Sequence, residues 1–421
     1  MRTPISSNIS PNVTKRDIQF VLSRIFYPWH WLRWMRGTAV FALEKRFKED
    51  YGMPHAIAFD AGRTALYALM DALKLRPDDK VILQSFTCIS VPNTIIAAGG
   101  KPRYVDIDDS YNIDVDSLET ILRHEQHIRA VIVQHTFGIP ADIERIQALC
   151  RLHGVLLIED CAHALGAAVN GKLVGTFGDA AMFSFGRDKV ISSVSGGLAI
   201  THNTDIAQGV RAYVDGLSLP SRLWVKKRLL HPLIFAVAKQ FYYFFSLGKL
   251  LIEGTRSLHL WPLVLETEEK QGQQLHGFRL PNVIAEWALQ QYSDLEIKNT
   301  HRKKLADMYQ AAFAKQKEIQ LPTIRESDEP IFLRFPIQVS PAQAEILLKK
   351  MRKEGILLGD WYRHVIDPKD ASLTAAQYTN GSCPNAEETA RRVVNLPTSI
   401  QTSKQQAENI SQHIIQILHE R

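Results

Sequence analysis

Residues 55–201 predict an α/β fold with a mostly parallel sheet flanked by helices, on three observations. Short β-branched runs alternate with helical stretches. The runs are continuously apolar instead of alternating in polarity, the mark of strands covered on both faces. The chain has 421 residues, 45% hydrophobic and 22% charged, and so can bury a large core without disulfides or a structural metal.

The elements follow in order. HAIAF (55–59) reads as a strand and 63–75 as a helix. KVILQ (80–84) is a strand, and 91–100 is helical with a glycine stop. PRYVDI (102–107) is a strand, 115–124 a helix, AVIVQH (130–135) a strand and 142–154 a helix. VLLIED (155–160), AAMFSF (180–185) and GLAITH (197–202) complete the strands. Farther on, 282–314 reads as one long helix or two. IFLRFPIQV (331–339) and VVNLPT (393–398) read as strands, with helices at 344–355 and 403–419. Few strands among mixed helices predict a smaller α+β domain. The expected division is a large domain over 1–295, carrying an insert at about 217–270, and a small domain over 296–421.

Several classes are excluded by composition. Cys88, Cys150, Cys161 and Cys383 show neither CxxC pairing nor zinc-type spacing, so no disulfide framework and no metal site are predicted. A reducing, cytoplasmic compartment fits this usage, and the polar N-terminus has no apolar signal core. The net charge is +6. Six cations, Arg222, Lys226, Lys227, Arg228, Lys239 and Lys249, lie between Asp215 and Glu253 with no acid among them. The rest of the chain is balanced, which argues against a nucleic-acid surface.

In parallel α/β sheets ligands bind beyond the carboxyl ends of the strands. After 55–59 come Gly62, Arg63 and Thr64 and then a helix, a phosphate-type start. An ordinary strand-to-helix turn has the same letters. Asp160 closes a buried-type strand with His163 three residues on. The pair reads either as a carboxylate for a protonated ring nitrogen or as a helix cap beside a core histidine. Ser184 ends another strand, followed by Lys189. A desolvated lysine there becomes nucleophilic, as a Schiff base requires, whereas a solvated loop lysine does not. Spacing leaves these alternatives open.

Their order is more specific than any one of them. The blocks KVILQSFTCISVPNTIIAAGGKPRYVDID, HTFGIPADIERI, IEDCAHALGA, VGTFGDAAMFSFGRDK, GFRLPNVIAEWALQQ and NAEETARRVVNLP resemble the DegT/StrS sugar aminotransferases, fold-type I pyridoxal-phosphate enzymes. The resemblance covers roughly 37–215 and 275–420. It implies that Lys189 bonds pyridoxal 5'-phosphate and moves the proton, and that Asp160 faces the pyridine nitrogen. His163 would lie near the ring face. Ser184 and the turn 62–64 would cradle the phosphate, with Arg279 reaching in from a neighbouring subunit of a homodimer with shared active sites. Cys88 stands where an aromatic ring often stacks, Arg63 where a small hydroxyl residue is usual, and Gly186-Arg187-Asp188 replaces the usual residues before the lysine. His364 lies in a poorly matching region and is not assigned to catalysis.

The implied reaction moves an amino group from glutamate to a keto-sugar, nucleotide-activated or lipid-linked, in cell-envelope polysaccharide synthesis. A rival reading is a regulatory or membrane-adaptor protein that keeps the fold without turnover. The insert supports a membrane theme. PLIFAVAKQFYYFFSLGKLLIE (232–253) reads as a helix opened by Pro232. Lys239, Tyr242, Ser246, Lys249 and Glu253 form a narrow polar stripe. The opposite face holds Ile234, Phe235, Phe241, Phe244, Phe245 and Leu250. With FYPWHWLRWMR (26–36), the segment 222–252 suits a peripheral position on the inner membrane face, or packing within the protein or across a dimer.

Overall fold

The computed structural model describes residues 4–6, 12–242, 247–257, 265–273 and 276–420. Seven strands form the central sheet: β1 (His55–Phe59), β2 (Lys80–Gln84), β3 (Lys101–Val105), β4 (Ile128–Gln134), β5 (Leu156–Asp160), β6 (Ala180–Ser184) and β7 (Gly197–Thr201). Their order across the sheet is β1-β7-β6-β5-β4-β2-β3. Six strands run the same way and β7 runs against both its neighbours. The carboxyl ends of β1, β4, β5 and β6 therefore open on one edge.

The continuous apolar runs have a direct cause. Ile57, Phe59, Leu83, Ile158 and Met182 enter one buried cluster. Their neighbours Ala56, Ala58, Ile82, Leu157 and Phe183 enter another on the opposite face. Successive strand residues point to opposite faces, so a sheet covered on both sides needs apolar residues throughout.

The covering helices start where the sequence supplies caps or turns. In the first half they are α1 (Lys15–Phe26), α2 (Ala39–Tyr51), α3 (Gly62–Ala72), α4 (Ser90–Ala97), α5 (Val115–His124), α6 (Ile143–His153) and α7 (Thr204–Gly216). Thr14 and Asp17 form a capping box at α1, and Asp114 and Asn203 cap α5 and α7.

The insert differs from its expected form. Its helix α8 runs Arg222–Gln240, capped by Ser221, whose hydroxyl accepts from the Trp224 N–H at 3.1 Å. Pro232 lies inside α8 instead of opening it. A serine cap followed by good helix formers sets the start ten residues earlier. The missing proline N–H is tolerated where Val225, Leu229, Phe235 and Ala238 are buried along the helix. A separate helix α9 (Leu247–Ser257) follows. Phe244, Phe245 and Ser246 lie outside the described residues. No helix among the described residues is long and apolar enough to cross a membrane.

The segment 282–314 is two helices, α10 (Asn282–Ser293) and α11 (Leu295–Phe313), broken at Asp294. The Trp287 indole on α10 donates to Asp17 on α1 at 2.7 Å, and the Asn282 amide oxygen accepts from the Ala39 N–H that starts α2 at 2.9 Å. Beyond them, β8 (Phe335–Gln338) pairs antiparallel with β9 (Val393–Leu396). Helices α12 (Pro341–Lys353), α13 (Pro384–Arg392) and α14 (Lys404–His419) complete this half.

Candidate active site

A cavity with about 930 Å³ of atom-free space, part of it open to solvent, lies at the carboxyl edge of the sheet. It is lined by Gly62 and Arg63 after β1, Cys88 after β2, Asp160 at the end of β5, Ser184 at the end of β6, and His163 and Lys189 in the loops that follow. Seven of the nine residues singled out from the sequence thus meet in one place.

Helix α3 begins at the cavity wall. Its cap residue Ala61 is extended and makes no side-chain capping bond, so the first-turn amides are left to an anion or water. Gly62 is required by contact. A Cβ there would lie 2.7 Å from the Ser184 Cβ and 2.9 Å from its Oγ. Gly197 is equally constrained, because a Cβ there would lie 2.4 Å from the carbonyl of Ala61. Thr64 does not line the cavity; its hydroxyl donates to the buried Asp60 carboxylate at 2.8 Å. Arg279 also lies outside this cavity. Its guanidinium donates to the carbonyls of Val214 and Asp215 at 3.1 and 2.5 Å. It lines a separate cavity with Arg36, Glu44 and Arg211.

Burial dominates the electrostatics. The Lys189 ammonium is pushed below its ordinary range by burial, with Asp160 and Cys88 opposing. The Asp160 carboxyl is pushed up by burial, opposed by the Ala162 N–H at 3.0 Å and by Lys189. His163 is held well below its ordinary value, by burial first and then by Lys189 and Arg334, so its ring is neutral near pH 7. Its Nδ1 accepts from the Phe137 N–H at 3.4 Å, and its Nε2 meets the Tyr362 hydroxyl at 3.4 Å.

The backbone behind the lysine is clamped. The Asn12 amide donates to the Lys189 carbonyl. Buried Arg302 donates to the Asn12 side chain at 2.8 Å, to the Val190 carbonyl at 2.6 Å and to Asn299 at 2.7 Å.

Sequence reasoning did not single out several residues here. Trp361 stacks on His163 with ring centroids 5.1 Å apart, and Lys189 Nζ sits 4.9 Å from the Trp361 ring centroid. Tyr362 lines the cavity, whereas the neighbouring His364 does not. The dipeptide Trp361-Tyr362 was the available signal in that stretch. Arg187 and Arg228 also line the cavity. Arg228 belongs to the basic run expected to face headgroups. The structure turns it inward because Trp224, one helical turn earlier, offers its ring to the guanidinium.

The residues fit pyridoxal phosphate. Uncapped helix amides, Ser184 and cations stand at one end, a buried carboxylate and a neutral histidine ring stand along the cavity, and a desolvated lysine faces it. The buried group His135, Glu159 and Cys161 is engaged otherwise. His135 pairs with Glu159 at 3.1 Å, and Glu159 also accepts from the N–H groups of Gly175, Phe177 and Gly178.

Comparisons with known proteins agree with this geometry. The model of the DegT/DnrJ/EryC1/StrS aminotransferase family matches residues 30–225 and 250–415. A GDP-perosamine synthase of Vibrio cholerae is 36% identical over 192 residues, 45% of this chain and 52% of that protein. The chain thus spans about half the length of that relative. A UDP-N-acetyl-3-dehydro-alpha-D-glucosamine 3-aminotransferase of Acidithiobacillus ferrooxidans is 27% identical over 380 residues, covering 90% of this chain and 88% of that protein. The structure of NtdA from Bacillus subtilis with bound cofactor PMP superposes with a TM-score of 0.74 at 18% identity, covering 99% of this chain and 86% of that one. At that identity the likeness shows the fold.

Proposed function

Because the chain belongs to the DegT/DnrJ/EryC1/StrS aminotransferase family, we propose that it moves an amino group from glutamate to the keto group of a nucleotide-linked sugar, with pyridoxal phosphate as cofactor. The observation that carries this reading is the meeting of Lys189, Asp160 and the Gly62–Ser184 contact in one largely buried cavity. The nucleotide-linked acceptor is supported by relatives named for GDP- and UDP-sugar chemistry. A lipid-linked acceptor is the variant, and cell-envelope polysaccharide synthesis is the setting we propose for either.

When bound, the cofactor supplies an electron sink for the charge left when a proton departs. The chain's own residues do the rest. Burial keeps the Lys189 amine closer to neutral, so it can take a proton and return it. Asp160 offers a carboxylate to a protonated ring nitrogen. His163 presents a neutral flat ring, held in place by Trp361 and Tyr362. We propose a homodimer as the active unit, with Arg279 offered to the partner's site.

The test is the absorption spectrum of the purified protein with and without glutamate, beside Lys189→Ala. The expected result is a yellow band that glutamate bleaches and the variant lacks. A colourless protein that takes up no added cofactor would favour the regulatory or adaptor reading.

A second reading concerns location. Phe26, Trp29 and Leu32 are 70%, 63% and 78% exposed, and Phe41 on α2 is 67% exposed. Arg33 and Arg36 are exposed in the same stretch. Exposed aromatic residues beside cations suit an anionic lipid surface. Trp34 does not take part, being buried with its indole bonded to the Arg24 carbonyl at 3.1 Å. Flotation with anionic vesicles should carry the wild type upward and leave a Phe26→Ser, Trp29→Ser, Leu32→Ser variant behind. Equal behaviour of the two would remove the membrane reading.

A further inference from the structure

Three arginines line the cavity near the start of α3: Arg63, Arg187 and Arg228. They are not equivalent. Arg63 pairs with the buried carboxylate of Glu269 at 2.9 Å. Arg187 lies 3.7 Å from Asp188. Among the described residues Arg228 forms no ion pair, and its buried Nε has no hydrogen-bond partner.

Arg228 is nonetheless well held. Its guanidinium carbon sits 3.1 Å from the Trp224 ring centroid, and it donates to the Trp224 carbonyl at 3.3 Å. Trp224 in turn packs edge-on against Phe278 at 6.0 Å. The ring fixes the direction of the fork and leaves hydrogen-bonding capacity over. The nearby acids are engaged elsewhere. Asp60 accepts from Thr64, and Glu266 forms the capping box of the short helix Thr267–Lys270.

Resting on the reading of this cavity as a cofactor site, we propose that Arg228, carried by the insert helix α8, binds the 5'-phosphate of pyridoxal phosphate from within the same chain. A fork with spare donors, a helix start with uncapped amides and the Ser184 hydroxyl line one cavity, and a phosphoryl dianion is the ligand that satisfies all three. Burial lowers the Arg228 pKa to about 9, so the guanidinium stays charged near pH 7 and an anion beside it would offset the desolvation. The insert thereby supplies in cis a cation that Arg279, bonded to its own α7 carbonyls, does not supply to this cavity.

The chemistry recognised is a phosphoryl group, and a nucleotide-sugar diphosphate carries the same one. The test separates these sources. Apoprotein would be titrated with pyridoxal phosphate, with pyridoxal, which lacks the phosphate, and with UDP and GDP. The proteins would be the wild type, Arg228→Met, Arg228→Lys and the exposed control Lys226→Gln, with circular dichroism to verify folding. Arg228→Met should bind pyridoxal phosphate roughly 10- to 100-fold more weakly, the scale of one charged hydrogen-bonding partner. Pyridoxal affinity should stay within about twofold. Arg228→Lys should recover part of the loss, because it keeps the charge without the fork.

Unchanged affinity for pyridoxal phosphate in Arg228→Met would overturn the proposal. So would equal weakening of pyridoxal and its phosphate, which would mean a structural role. Weakening of UDP or GDP alone would assign the anion to the substrate and overturn it as well. Failure of the wild type itself to bind pyridoxal phosphate would be a different result, since it removes the cofactor site on which the proposal stands.

Discussion

Replacing Gly62 with alanine tests the proposed phosphate end of the cavity in a way the structure makes quantitative. The added Cβ would lie 2.7 Å from the Ser184 Cβ, 2.9 Å from its Oγ and 3.3 Å from its Cα. Ordinary carbon–carbon contact begins near ~3.5 Å. Rotating the serine hydroxyl relieves only the Oγ contact, so the start of α3 and the end of β6 must part by about 0.8 Å, given contact distances of that order. Overpacking of this kind costs about 1–3 kcal/mol. The helix propensity of alanine over glycine offsets about 0.5–1 kcal/mol of it. Stability should therefore fall by no more than about 2.5 kcal/mol on those two magnitudes. Binding should suffer more. A hydrogen bond lengthened from about 2.9 to about 3.7 Å is lost. One charged bond is worth about 1.5–3 kcal/mol, so pyridoxal phosphate should bind roughly 10- to 150-fold more weakly. Cofactor titration followed by tryptophan quenching measures this, with a thermal melt alongside. Gly216→Ala is the control, since a Cβ there meets nothing within 4 Å. Cofactor affinity within twofold of wild type in Gly62→Ala would refute the placement of the phosphate at the start of α3.

Three other outcomes are expected. Arg302→Met removes the guanidinium that bonds Asn12, Val190 and Asn299, leaving buried acceptors unpaired. Urea unfolding should show a loss of about 2–5 kcal/mol, and a loss under about 0.5 would mean the lysine loop is held otherwise. Asp160→Asn keeps the shape but not the charge. Glutamate should then bleach the cofactor band roughly 100-fold more slowly or worse, while the cofactor still binds; an unchanged rate would take Asp160 out of the chemistry. Asp367, beside Cys88 in a short parallel strand pair, has its carboxyl pushed up to about 7 by burial and by Asp360. Its folded value lies above its unfolded one, so its contribution to stability is full below about pH 4 and is lost as pH rises through about 7. Asp367→Asn should flatten that part of the fall in urea midpoint between pH 5 and 8, and an identical pH dependence in the two proteins would count against the shift.

Much of this was legible in the residues themselves. Strand positions 55–59 and 80–84 coincide with β1 and β2, because a strand covered on both faces is a short apolar run bounded by turns. The residues lining the cavity stand directly after such runs, and parallel topology brings strand ends to one edge. Gly62, Asp160, Ser184 and Lys189 could therefore be picked as candidates by position along the chain, with their roles implied by the ordered blocks that resemble the family. Element order and local letters determine those facts.

What the letters could not determine is direction and company. Pro232 reads as a helix start, yet Ser221 caps the helix earlier and tertiary burial accommodates the proline inside it. Arg228 stands among Arg222, Lys226 and Lys227, and nothing local distinguishes it. Only the packing of α8 over the cavity, with the Trp224 ring beneath the guanidinium, turns that one cation inward. Thr64 and Arg279 carry suitable groups, but within this chain Asp60 and the carbonyls at the end of α7 hold them away from this cavity. Trp361 and Tyr362 reach His163 from nearly 200 residues away in sequence. Periodicity and spacing report on neighbours along the chain, whereas the partner of a long polar side chain is chosen by distance in space, and the tertiary structure alone decides it.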